Sequence, residues 1–289
     1  MTGTRTDRIE RRLGDALRAR LPASAAEFVM FTVKQGWASL FGALLLAGLI
    51  VTDAIWQETW IIARYDALLI YAISLQAILL ILRIETWAEM RIILLFHLTG
   101  TAMELFKVHM GSWSYPGDAM TKIAGVPLFS GFMYASVGSY IARVMRVFDM
   151  RFAPFPPVWA LWALSGLIYA NFFAHHFLPD IRVVLIVGSV LLFWRTRVWF
   201  RMARFYWMPM PVAGALVALF MWVAENIGTA TSTWLYAGQL PGDPVNFSKM
   251  GSWYMLLYLA FGTVTLVSRD ALMRSAWAPV SQKQTVQAT

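Results

Sequence analysis

From residue 36 onward the chain alternates between apolar stretches of about twenty residues and short polar breaks, and nothing else in it limits the fold as tightly. A helix needs ~20 residues to cross ~30 Å of hydrocarbon. Eight such stretches can be read, at 36–56, 65–85, 88–110, 127–147, 156–177, 181–201, 209–231 and 249–269. Each is expected to be helical, because backbone facing lipid must satisfy its own hydrogen bonds. The composition agrees: 59% hydrophobic and 14% charged lies well outside the range of soluble domains. The expected fold class is all-α, a polytopic membrane bundle of eight transmembrane helices.

The basic residues orient this bundle. With eight spans, 19 of the 24 Lys and Arg residues fall on the side of the N-terminus. Only Arg64, Lys107, Lys122, Arg182 and Lys249 fall on the other. Cytoplasmic loops carry the excess of positive charge. Both termini are therefore expected in the cytoplasm and the bundle in a bacterial inner membrane. The net charge of +8 becomes a topology signal, and nucleic acid is not an expected partner. The absence of cysteine excludes disulfides, thiolate metal ligands and thiol catalysis.

Residues 1–34 are too charged for a signal peptide. Ile9, Leu13, Leu17 and Leu21 recur every four residues, which predicts an amphipathic helix on the inner membrane face, ended near Pro22. The membrane domain is expected over 35–274 and a disordered polar tail over 275–289.

A shift of 121 residues carries Glu104 onto Glu225, Trp113 onto Trp234 and Tyr115 onto Tyr236. The same shift lays the first four stretches over the last four. Four spans per half is even, so a repeat of this kind would be parallel, a 4+4 design. MGSW also occurs twice, at Met110–Trp113 and Met250–Trp253, but its offset of 140 does not fit that repeat.

Ionisable groups inside the apolar stretches are the candidates for chemistry. Glu104 lies roughly 24 Å from the inner end of its stretch, at ~1.5 Å per residue, and Glu225 is placed alike. An intramembrane carboxylate is costly and is read as functional by default. Both are candidate catalytic acid–base groups, with His109 and Tyr115 beside Glu104. His97, Thr101 and Glu104 share one helical face. With Trp113, Asn226, Thr229, Trp234 and Tyr236 they form the candidate substrate-binding set. His175, His176 and Asp180, in HHFLPD, are a candidate set for a divalent metal, Zn or Fe. No HExxH or zinc-finger spacing accompanies them. The inner halves of stretches three and seven, MRIILLF and PVAGALVALFMW, carry almost no polar side chains.

HLTGTAMELFKVHMGSWSYP, GVPLFSGFMYASVGSYIARVMR, NFFAHHFLPDIR and VAENIGTATSTWLY together resemble a bacterial membrane family known as domain of unknown function 817. That resemblance covers nearly the whole chain from about residue 36 and implies a polytopic membrane protein without an assigned activity. A looser likeness, covering about one quarter of the chain, is to membrane carotenoid hydratases and lycopene cyclases. It would make Glu104 an acid that protonates an isoprenoid double bond, with Tyr115 and Gly125–Leu128 shaping the pocket. The doubled acidic residues of the cyclases are missing.

Two functions are therefore expected to compete. One is a membrane-embedded enzyme acting by acid–base or metal-assisted chemistry on a lipid-like substrate in an outer-leaflet pocket, with membrane lipid and a small apolar ligand as partners. The other is a proton-coupled transporter. The apolar inner halves favour the first, since a transporter needs a polar route to both faces. A structural or assembly subunit is a third reading.

Overall fold

The structure is a computed structural model that describes residues 5–267. The tail expected over 275–289, and the end of the last stretch, lie outside the described residues. Ten helices account for most of the rest: α1 Arg5–Arg18, α2 Ala23–Ala38, α3 Leu40–Ile55, α4 Arg64–Ile81, α5 Trp87–His109, α6 Ser130–Val147, α7 Val158–Ala174, α8 Arg182–Phe193, α9 Met210–Ala230 and α10 Lys249–Val267. Each of the eight expected stretches holds one of the helices α3 to α10. Four of these, α4, α5, α9 and α10, are long and apolar enough to cross a membrane by themselves. A fifth span results if α2 and α3, bent by 71° at Ser39, count as one. α7 and α8 are apolar but shorter.

Three features depart from the sequence reading. First, α2 was not anticipated, and the boundary drawn at residue 34 falls inside it. Its buried edge of Ala26, Met30, Lys34 and Ala38 recurs at helical spacing and joins it to the bundle. Second, stretch six is not one helix. α8 stops at Phe193 after twelve residues, or roughly 18 Å of rise. Beyond it, Val198 and Phe200 of RVWFR are buried while Arg197, Trp199 and Arg201 are not, the two-residue period of a strand. Third, the chain is not purely α. Strands β1 Trp113–Ser114, β2 Lys122–Ile123, β3 Val126–Pro127, β4 Arg151–Ala153, β5 Arg197–Arg201, β6 Phe205–Pro209 and β7 Leu235–Tyr236 interrupt the helices. β4, β5 and β6 form one antiparallel sheet. α2 docks on it, with Lys34 Nζ donating to the Arg201 carbonyl at 3.0 Å. The expected amphipathic helix is present as α1, which ends at Arg18; its Leu13, and Leu21 just beyond it, stay exposed.

Local chemistry explains how the central helices start and lock. α5 begins at a capping box: Thr86 Oγ1 accepts from the Glu89 N–H, and the Glu89 carboxylate accepts from the Thr86 N–H. α5 and α6 then interlock through small residues, Gly100 on α5 and Gly131 and Gly138 on α6. Gly100 faces the Tyr134 ring, Gly131 faces His97 and Thr101, and Gly138 faces Phe96, each too closely to admit a Cβ. Packing pairs recur along the chain. α5 packs on α6 as α9 does on α10. α3 meets α4 and α6 as α7 meets α8 and α10.

The bundle also holds a buried ion pair, between α6 and the start of α5, that the sequence did not suggest. Arg143 of α6 and Glu85, which precedes α5, are both buried and paired through Arg143 Nη2 and Glu85 Oε1. Ser139 Oγ donates to the same oxygen at 2.8 Å, and Gln76 Nε2 donates to Glu85 Oε2. Arg146 completes the layer by pairing with Glu89 at 2.9 Å.

Candidate functional site

Glu104 and Glu225 are both buried, and both are held by aromatic donors rather than by cations. Glu104 Oε2 accepts from Trp113 Nε1 and from the Tyr115 hydroxyl, each at 2.7 Å. Its Oε1 accepts from the Tyr134 hydroxyl at 2.7 Å. Glu225 Oε1 accepts from the Tyr236 hydroxyl and Oε2 from Trp253 Nε1. A carboxylate has about four acceptor sites. Glu104 therefore has about one left and Glu225 about two. Burial, then the neighbouring Glu104, pushes the Tyr115 phenol well above its ordinary value. Burial and Glu225 do the same to Tyr236. Both phenols are thus fixed as proton donors.

The two carboxylates meet through a strand pair. β1 and β7 run antiparallel with Trp113 opposite Tyr236 and Ser114 opposite Leu235. The Trp113 and Tyr236 rings touch edge to face, with centroids 5.8 Å apart. So the donor to Glu104 lies against the donor to Glu225.

Tyr134 and Trp253 were not among the sequence candidates. Each is the fifth residue of its helix, α6 and α10, so a shift of 119 rather than 121 relates them. Trp253 also ends the second MGSW, as Trp113 ends the first. The two motifs supply the same bond to the two glutamates.

The other candidates divide. Trp234 lines the cavity described below and packs on Gly228, where a Cβ would lie 1.8 Å from its ring. Gly228→Ala should therefore displace Trp234 and lower stability by ~1–3 kcal/mol, the usual cost of overpacking. Thermal unfolding in detergent checks this, and an unchanged midpoint would refute it. Asn226 is structural: its Nδ2 donates to the Trp222 carbonyl and its Oδ1 accepts from the Val245 N–H. Thr229 and Thr101 bond back to carbonyls of their own helices, at Glu225 and His97. His97 packs against Phe132 with its Nδ1 buried and unpartnered. His109 is exposed at the end of α5 and does not line the cavity. Nor do Gly125–Leu128, which turn β2 into β3, with Ala124 and Gly125 at positive φ.

The three candidate metal ligands, His175, His176 and Asp180, are engaged with protein groups. Among the described residues no three His, Cys, Asp or Glu side chains are placed to hold an ion. Lys107 Nζ sits 3.1 Å from His175 Nε2 and 2.8 Å from His176 Nε2, where a metal would need those lone pairs. His175 Nδ1 faces the Asn171 carbonyl at 2.9 Å, which assigns its proton there and leaves Nε2 to accept from Lys107. Asp180 is engaged elsewhere. Burial acts to raise its pKa, but the Asn171 amide, the Arg182 N–H and the Arg182 guanidinium hold it below the ordinary value.

A cavity of about 890 Å³ connects these groups. Glu104, Glu225, Tyr115, Trp113, Tyr236 and Trp253 line one end. From there it follows α3, α6 and α9 to Ala213, twelve residues or roughly 18 Å below Glu225 along α9. Phe31, Val198, Phe200 and Met208 close that end. The long walls of the cavity are apolar. Phe28, Leu216 and Phe220 belong to both the lining and the exposed outer surface.

No solved structure matches this fold. The profile of "Protein of unknown function (DUF817)" matches residues 27–261. "Uncharacterized protein YoaT" of Bacillus subtilis (strain 168) is 41% identical over 238 residues, covering 81% of this chain and 89% of the relative. The matched region contains most of α2, all of α3, both glutamates and every donor described above. The chain belongs to the family of proteins of unknown function DUF817.

Proposed function

We propose that this is an inner-membrane enzyme that performs acid–base chemistry on a lipid-like molecule held in the cavity between α3, α6 and α9. The observation that carries the reading is the placement of two buried carboxylates at one end of a long, apolar-walled space. Apolar walls with a few convergent polar groups are the usual make-up of a small-molecule site. Glu225, with more free acceptor capacity than Glu104, is the acid. Its proton would pass to an alkene carbon, forming a C–H bond and leaving a cation on the neighbouring carbon. Loss of a proton from that cation to Glu104, followed by return of that proton from Glu104 to Glu225, would complete an isomerisation without another reactant. The rings of Trp113, Tyr236 and Trp253 would stabilise the cation by their faces.

In this reading the eight helices α3 to α10 span the membrane as two parallel halves, with both termini cytoplasmic. The β1–β7 register supports the two halves. Ser114 and Leu235 are related by the 121-residue shift and lie opposite each other, as a two-fold axis between the halves requires. The repeated packing pairs support it as well.

Glu225→Gln tests the chemistry. Lipid extracts of cells carrying the wild type or the variant are compared by mass spectrometry. Loss of a general acid lowers turnover by ~10²–10⁴-fold, so one species should accumulate and another vanish in the variant. Identical lipid profiles would sink the enzyme reading. The transporter reading gains from the length of the cavity, which reaches the β5–β6 hairpin. Proton uptake into proteoliposomes that depends on Glu225 would favour it.

A further inference from the structure

The end of the cavity that holds the glutamates also holds cations, and the acid–base reading leaves them unused. Lys107, Arg182 and Lys249 all line it, with His175 among them. They are three of the five basic residues assigned to the outer side. The other two are committed to backbone: Lys122 donates to the carbonyls of Tyr115 and Gly117, and Arg64 to that of Thr231.

Lys107 is only 3% exposed. Its nitrogen partners are the two imidazoles, and it lies over the Phe172 ring at 4.3 Å. No carboxylate stands within ion-pair distance of it among the described residues. Lys249 lies over the Tyr236 ring at 4.0 Å and likewise forms no ion pair, with Glu225 facing it from farther away. Arg182 is paired with Asp180 at 3.0 Å. The three cations are close enough to repel one another. Buried ammonium groups are ordinarily paired with an anion. Here the neighbouring glutamates are instead occupied by Trp and Tyr donors.

We propose that the cavity receives an anionic amphiphile, its phosphate headgroup set between Lys107, Lys249 and Arg182 and its chain lying along α3, α6 and α9. The inference rests on the lipid-like ligand proposed above and names its polar end. A phosphate suits the site better than a carboxylate, because it carries up to two charges and three acceptor oxygens for three cations. The headgroup would displace no existing ion pair on Lys107 or Lys249. The imidazoles of His175 and His176 hold Lys107 in place by accepting from it.

The test uses the full chain in a neutral detergent, with thermal unfolding read against dodecyl phosphate, dodecanol and inorganic phosphate. Dodecyl phosphate should stabilise the protein at concentrations at least tenfold below those needed for either fragment. Lys107→Gln and Lys249→Gln should each weaken that response tenfold or more, while Lys107→Arg should retain most of it. Lys249→Gln keeps the test open if Lys107→Gln fails to fold. Equal action of dodecanol and dodecyl phosphate would overturn the headgroup site and leave the lipid cavity standing. Equal action of inorganic phosphate would overturn the amphiphile in favour of an aqueous anion. No response to any alkyl probe would overturn both this inference and the lipid-like substrate.

Discussion

Replacing Arg143 with alanine should destabilise the protein by ~3–5 kcal/mol, the cost of leaving a buried charge without its partner. Arg143 is 0% exposed and Glu85 3% exposed, so water cannot replace the lost guanidinium. Ser139 and Gln76 would still donate to Glu85, but neutral donors do not cancel its charge. The paired change Arg143→Met with Glu85→Leu should recover most of that loss. Buried ion pairs are often no better than apolar residues of similar volume. Denaturant unfolding of the two single variants and the double variant measures the coupling directly. A single-variant loss below about 1 kcal/mol would mean the pair is solvated after all.

Glu104→Leu should be nearly as damaging, for the opposite reason. The substitution removes a charge but strands three buried donors: Trp113 Nε1, the Tyr115 hydroxyl and the Tyr134 hydroxyl. Each orphaned donor costs ~1–3 kcal/mol. Glu104→Gln should be far milder. Its carbonyl oxygen can still accept from Trp113 and Tyr115, and its amide can donate to the Tyr134 oxygen. The ordering wild type, Gln, Leu in thermal midpoint is the expected result. Equal loss in both variants would show that the charge, and not the acceptor, holds the cluster together.

Much of this arrangement was legible in the residues. Apolar length located eight helices, because hydrocarbon sets a length that few other environments set. The cost of a carboxylate in lipid marked Glu104 and Glu225 before any geometry was known. The 121-residue shift then paired Tyr115 with Tyr236. Three things stayed hidden. Tyr134 and Trp253 come from α6 and α10, where an offset of 119 rather than 121 relates them. Apolar length alone did not separate α8 from β5, since both carry Val and Phe and the strand period shows only in the alternating burial of RVWFR. Finally, the histidine pair carries a metal-like composition, and only the structure shows that Lys107 engages both imidazoles. Composition names possible ligands; it does not say which neighbour arrives first.

Phe220 is 74% exposed on the outside of α9 and also forms part of the cavity wall, as do Phe28 and Leu216. In a bilayer, a molecule entering past these side chains arrives already dissolved in acyl chains and never crosses water. Its supply is then set by its mole fraction among the lipids, not by its aqueous solubility, so modest affinity suffices for high occupancy. The same side entrance is open to detergent alkyl chains. Occupancy of the purified protein should therefore depend on the amphiphile chosen to extract it.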